Sequence, residues 1–164
     1  MKKGNCFLTI FLSTMLIFCG MILNFVIHEF SHAIVLILCN GSLMDLELTN
    51  ELFVSGYTET RYIAIIALAS IYIPLGLSVI SMFLKNKYVN IFYCGFTLPI
   101  FINCLLGLIA FVFEKNETIR KTYDFVLAME NCSSQFVVCA ITVLMMIFSL
   151  IITLKNLISF AKSI

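Results

Sequence analysis

A long, predominantly apolar run from Cys6 to Cys39 limits what this chain can fold into. About 20 apolar residues suffice for a helix to cross the hydrocarbon layer of a bilayer. The run exceeds that length, so it predicts a helix over 7–39 that tilts strongly, bends near Gly20 or protrudes from the bilayer. Asn40-Gly41 is a typical helix stop. The run is also longer than the apolar core of a signal peptide, so we expect it to be retained.

The rest of the chain is similarly apolar. Of its 164 residues, 62% are hydrophobic and only 12% are charged, whereas soluble domains are about 25% charged. This composition predicts an all-α membrane protein with about four transmembrane helices, forming a single domain over 1–164. The predicted spans are 7–39, 61–84, 89–113 and 136–154.

The segment after the first predicted span is more polar. Leu46–Thr49 and Leu52–Ser55 flank Asn50-Glu51, a pattern that predicts a short β-hairpin-like segment. Such a segment is either a solvated loop or an edge strand that pairs with an unwound substrate segment.

The charges favour a membrane partner over nucleic acid. A net charge of +1 without a basic stripe gives no electrostatic footprint for nucleic acid. With four spans, one side carries Lys2, Lys3, Lys85, Lys87, Lys155 and Lys162, and the other carries Arg61, Lys115, Arg120 and Lys121. The excess favours cytoplasmic termini. The expected location is the plasma membrane, with lipid as the surrounding solvent.

His28-Glu29-Phe30-Ser31-His32 lies inside the first predicted helix and contains both histidines of the chain. Residues four apart share a helix face, so His28 and His32 can offer two imidazole nitrogens to one metal ion. A carboxylate at Glu29 could accept a proton from water at that metal. This is the HExxH pattern of zinc metallopeptidases. The alternative is two helix histidines, one paired with Glu29, but ionisable groups in apolar spans usually persist for a function.

A catalytic zinc ion usually has three protein ligands. The candidates for the third are Asp45, Glu47, Glu51, Glu59, Glu114, Glu117, Asp124 and Glu130. Asp124 is best placed because it begins a short apolar helix predicted over 125–130, although capping of that helix is an equal alternative. Glu117 and Glu51 are the reserve candidates.

Two buried amides could support the site. Asn24 lies one turn before His28, where it could bond a histidine, a substrate backbone or another helix. Asn103 lies in the third predicted span, where a buried amide requires a partner.

These features resemble the site-2 protease family of membrane-embedded zinc metallopeptidases. The resemblance rests on HEFSH followed by Ala33, the hairpin-like segment, Ile66–Ser70 with Pro74, and Asn103 preceding an aspartate. Family members carry an Asn-Pro-Asp-Gly signature, whereas here no proline follows Asn103.

The resemblance implies one Zn²⁺ per chain, bound by His28, His32 and Asp124, with Glu29 as general base. It also implies a membrane-spanning protein or peptide as substrate. Family members usually hold zinc near the cytoplasmic face, whereas the charge count puts it near the other face, so the orientation stays open.

The resulting hypothesis is an intramembrane zinc metalloendopeptidase that hydrolyses a peptide bond in or near a transmembrane segment. The alternative is a catalytically inactive relative that binds or chaperones membrane proteins. A metal carrier would need more histidines or carboxylates along a pathway than the chain offers. The substrate and the oligomeric state stay open.

Overall fold

The computed structural model describes residues 3–48, 52–57, 60–116 and 123–162. Its elements, in chain order, are α1 (Lys3–Leu38), β1 (Ser42–Leu48), β2 (Leu52–Tyr57), α2 (Thr60–Val79), α3 (Lys87–Phe113), α4 (Asp124–Glu130) and α5 (Gln135–Ala161). A short 3-10 turn, Ile80–Phe83, extends α2. The order shows four long helices with one short helix before the last.

The prediction of a helical protein with four apolar spans is confirmed. Within the described residues, four helices are long and apolar enough to cross a membrane: Phe7–Leu38, Tyr62–Phe83, Lys87–Phe113 and Gln135–Ala161. Many large apolar side chains on them are exposed. Such a surface suits lipid rather than water.

The first helix ends where the sequence predicts a stop. Asn40 adopts a positive φ of 57°, which closes the helix as a Schellman motif. The amide of Gly41 donates to the carbonyl of Leu36 at 2.9 Å, and the amide of Asn40 donates to that of Ile37 at 3.0 Å. The predicted stop at Asn40-Gly41 is confirmed.

Two antiparallel strands follow α1. Leu48 pairs with Leu52 at one end of the ladder and Ser42 with Tyr57 at the other, with an irregularity between Leu43 and Asp45. Both strands contact α1. The connection between them, 49–51, lies outside the described residues.

Close packing of α1 on α3 explains why a residue without a side chain occupies position 20. The helix continues through this residue, and Gly20 faces the backbone of α3. A Cβ at Gly20 would overlap the carbonyl oxygen of Phe92 and lie 2.8 Å from the amide nitrogen of Phe96. Likewise, a Cβ at Gly95 would overlap the Ile17 backbone. Small residues at facing positions let membrane helices approach closely.

We expect Gly20→Ala to destabilise the fold, because the added methyl group meets backbone atoms that cannot rotate away. Overpacking of this kind costs about 1–3 kcal/mol. Gly76→Ala is the matched control, since nothing lies within 4 Å of a Cβ at Gly76 and alanine favours the helix by about 0.5–1 kcal/mol. Thermal unfolding in detergent measures both. Equal midpoints for the two variants would contradict the packing role of Gly20.

The last helix continues beyond 154, the predicted end of the fourth span, to Ala161. Two polar side chains in the added part contact the end of the second span. The Lys155 ammonium donates to the Ser81 carbonyl at 3.1 Å, and the Asn156 amide donates to the Ser81 hydroxyl at 2.9 Å. These contacts give the two polar side chains partners within an otherwise apolar helix.

The short helix α4 is fixed by its apolar side. Phe125 and Val126 are buried at 1% and 0% exposure and pack in one cluster with Ala67 of α2 and Ala110 of α3. A Cβ at Gly107 would lie 2.9 Å from the Cβ of Phe125, so α4 sits close against α3. This anchoring holds the beginning of α4 beside α2.

Candidate metal centre

Three side chains of the predicted site converge. His28 and His32 come from α1 and Asp124 from the beginning of α4, and one ligand atom of each lies within 4.8 Å of the other two. Asp124 Oδ2 is 3.0 Å from His28 Nε2, and Asp124 Oδ1 is 3.3 Å from His32 Nε2. The two imidazole rings meet edge to face, 5.1 Å between centroids. The fold therefore brings together residues far apart in sequence.

A hydrogen bond fixes the orientation of His32. Its Nδ1 lies 2.9 Å from the carbonyl oxygen of Ile66 in α2. A carbonyl oxygen can only accept, so Nδ1 carries the hydrogen. Its Nε2 faces Asp124 Oδ1 at 3.3 Å, and loss of the hydrogen on Nε2 would leave a lone pair directed at the cluster, as metal binding requires.

Asp124 accepts a hydrogen bond from α2 as well. The Ser70 hydroxyl donates to Asp124 Oδ2 at 2.7 Å. Burial alone would raise the pKa of Asp124, but the hydrogen bonds to His28 and His32 outweigh burial and hold its pKa below its ordinary value. Asp124 is therefore ionised at neutral pH, the form that binds a cation.

Asp124 does not cap its helix. Tyr123 occupies the N-cap position without a side-chain hydrogen bond, and Asp124 is the first helical residue. The capping interpretation is wrong because the carboxylate of Asp124 bonds to the histidines and Ser70 instead.

Glu29 lies at the edge of the cluster. Its Oε1 is 3.7 Å from His28 Nε2, and its side chain is 13% exposed. The position leaves Glu29 beside the ligand atoms without making it one of the three.

No family model, curated protein or solved structure matches this chain.

The donor set fits zinc. A tetrahedral Zn²⁺ has ligands at about 2.0–2.2 Å, which places neighbouring ligand atoms about 3.4 Å apart. One ligand atom from each of the three side chains lies within 4.8 Å of the other two, close to that spacing. Two imidazoles and one carboxylate also leave the fourth position for water, as in hydrolytic zinc sites. His28, His32 and Asp124 are therefore the residues that would bind the ion.

The remaining predicted site residues are Asn24, Asn103 and the reserve ligands Glu51 and Glu117. Asn24 is buried at 4% exposure, and its amide nitrogen has no hydrogen-bond partner among the described residues. It lies one turn from Gly20, on the side of α1 that packs on α3. Asn103 is half-buried in α3. The reserve ligands Glu51 and Glu117 lie outside the described residues.

Two contributions from α2 escaped the sequence-based prediction. The backbone carbonyl of Ile66 and the hydroxyl of Ser70 hold His32 and Asp124, respectively. The role of a backbone carbonyl cannot be read from a sequence, because every residue has one. Ser70 is recognisable as a small polar residue within an apolar span, but small residues in spans usually serve helix packing.

Proposed function

We propose that this chain is a multi-pass membrane zinc endopeptidase, related to the site-2 protease family, that cleaves a peptide bond in or beside a transmembrane segment. The observation that carries the proposal is the convergence of His28, His32 and Asp124, with ligand atoms within 4.8 Å of one another. The adjacent carboxylate of Glu29, 3.7 Å from His28, supplies a general base, which hydrolysis requires and metal storage does not. The proposed location is the plasma membrane.

The chain's own residues would act as follows. The zinc ion, when bound, would polarise the substrate carbonyl and make its water more acidic. Glu29 would accept the proton as that water attacks the carbonyl carbon, then deliver it to the leaving amine. The Ile66 carbonyl would keep His32 in the correct tautomer, because it accepts the Nδ1 hydrogen.

The surroundings of the site favour a membrane-embedded substrate. His28 lies ten residues before the end of α1 at Leu38, about 15 Å along the helix axis and so within a hydrocarbon layer of about 30 Å. Phe25 and Phe30 of α1 are 51% and 47% exposed. An apolar peptide would therefore meet apolar side chains beside Glu29.

The strands after α1 offer a way to hold an unwound substrate. They contact α1, the helix that carries the motif, and each strand of a two-stranded sheet has an outer edge. An extended peptide can pair with such an edge through its backbone. Unwinding exposes a scissile bond that a helix would shield.

Zinc-dependent cleavage in liposomes tests the proposal. The purified chain would be reconstituted with a panel of single-span helices that carry a fluorescent label at each end. We expect zinc-loaded protein to cut at least one helix, 1,10-phenanthroline to stop the reaction, and added zinc to restore it. Fragment sizes on a gel provide the measurement.

A catalytically inactive relative would give another result. It would bind members of the panel without producing fragments, even with stoichiometric zinc. That outcome would overturn the protease proposal and favour the binding or chaperone alternative.

A further inference from the structure

One turn of α2 contacts two of the three ligands. Ile66 and Ser70 are four residues apart and so lie on the same face of the helix. Ile66 holds His32 from α1, and Ser70 holds Asp124 from α4. The two ligand-bearing elements are thus connected through a helix that supplies no ligand of its own.

Ser70 differs from the other buried serines that the structure describes. The hydroxyls of these serines donate to carbonyls of their own helical segment, three or four residues earlier: Ser13, Ser31, Ser78, Ser81 and Ser149. Ser70 alone also donates to a side chain of another element. Its oxygen is 2.7 Å from Asp124 Oδ2 and 2.9 Å from the Ala67 carbonyl. A single hydroxyl hydrogen favours the charged acceptor, because bonds to carboxylates are stronger.

The bond would restrict how the carboxylate of Asp124 rotates. The terminal torsion of aspartate is broad and turns easily. Here Oδ2 faces His28 Nε2 and the Ser70 hydroxyl, while Oδ1 faces His32 Nε2. A donor fixed on Oδ2 keeps both oxygens turned toward the histidines.

The helix α2 is well suited to this role. In the most apolar 18-residue stretch of the second span, 50% is buried inside the protein, whereas the corresponding share for the first span is 11%. Ser70 itself is 2% exposed. A donor on the best-packed of the four spans is held more rigidly than one on an exposed helix.

We propose that Ser70 is a positioning residue, whose hydroxyl orients Asp124 for metal binding. This inference rests on the proposed metal site and concerns affinity and coordination rather than substrate. Loss of a hydrogen bond that orients a metal-binding side chain typically weakens metal binding about 10–100-fold.

The test compares Ser70→Ala with Ser78→Ala in detergent-purified full-length protein. Ser78 lies in the same helix, is buried at 0% exposure, and donates only to the Pro74 carbonyl at 2.8 Å. Zn²⁺ affinity would be measured by competition with a chelator of known strength. Coordination would be measured by the visible absorption of bound Co²⁺.

We expect Ser70→Ala to weaken Zn²⁺ binding about 10–100-fold and to change the Co²⁺ spectrum, while Ser78→Ala matches wild type in both. Recovery of affinity in Ser70→Thr, which keeps a hydroxyl, would support the assignment further.

Unchanged affinity and spectrum in Ser70→Ala would overturn the role of Ser70 and leave the metal site standing. Equal losses in both alanine variants would also overturn it, as a packing effect. A wild type that binds neither ion would refute the metal site itself.

Discussion

Glu29→Gln is expected to reduce cleavage by about 10²–10⁴-fold, the usual contribution of a general base, while zinc content stays near wild type. Glutamine keeps the size of the side chain but cannot accept the proton of the attacking water. Zinc should remain because Glu29 lies outside the group of three ligands. The liposome assay and elemental analysis measure the two quantities on the same preparation.

Glu114→Gln is the matched control. Glu114 follows the end of α3 and accepts the Asn116 amide at 2.8 Å, so the same substitution there should leave both cleavage and zinc unchanged. Cleavage retained in Glu29→Gln would refute the assignment of Glu29 as base. Loss of zinc in that variant would instead make Glu29 a ligand.

His32→Ala and Asp124→Ala are expected to reduce zinc from near one ion per chain to near none. Each change removes one of the three proposed ligands, and even loss of a hydrogen bond to a ligand costs about 10–100-fold in affinity. Elemental analysis of detergent-purified protein measures the metal. Elution as a single species in size-exclusion chromatography would show that each variant still folds.

Glu130→Ala controls for Asp124→Ala, because it changes a carboxylate at the other end of the same helix α4. We expect this variant to keep its zinc. Loss in His32→Ala but not in Asp124→Ala would keep the metal site and move the third ligand to Glu117 or Glu51. Absence of zinc from wild type, even after reconstitution, would make the HExxH pattern a coincidence.

Much of the helical architecture could be predicted from local patterns. The four spans follow from apolar runs, and the end of α1 follows from Asn40-Gly41, because helix length and termination depend on neighbouring residues. The sequence did not indicate that Gly20 packs against α3. A glycine within a helix is compatible with both a bend and a close contact, and the facing backbone decides between them.

The candidate site likewise has a part that local sequence predicts and a part that depends on tertiary packing. The spacing of His28, Glu29 and His32 is enough to place both imidazoles on one face of a helix. The third ligand depends on where a distant segment packs. The sequence offered eight acidic candidates of the same chemical type for the third ligand. The burial of Phe125 and Val126 brings one of them, Asp124, beside α1 and α2.

The sequence by itself determined a protein with four helices apolar enough to cross a membrane, and it placed two histidines on one face of the first helix with a glutamate beside them. Only the tertiary structure placed the carboxylate of Asp124 beside both histidines and added the contacts from Ile66 and Ser70 of α2. The physical reason is that helical periodicity is local, whereas a cluster formed by side chains of α1 and α4 and supported by α2 depends on packing between residues that are remote in the chain.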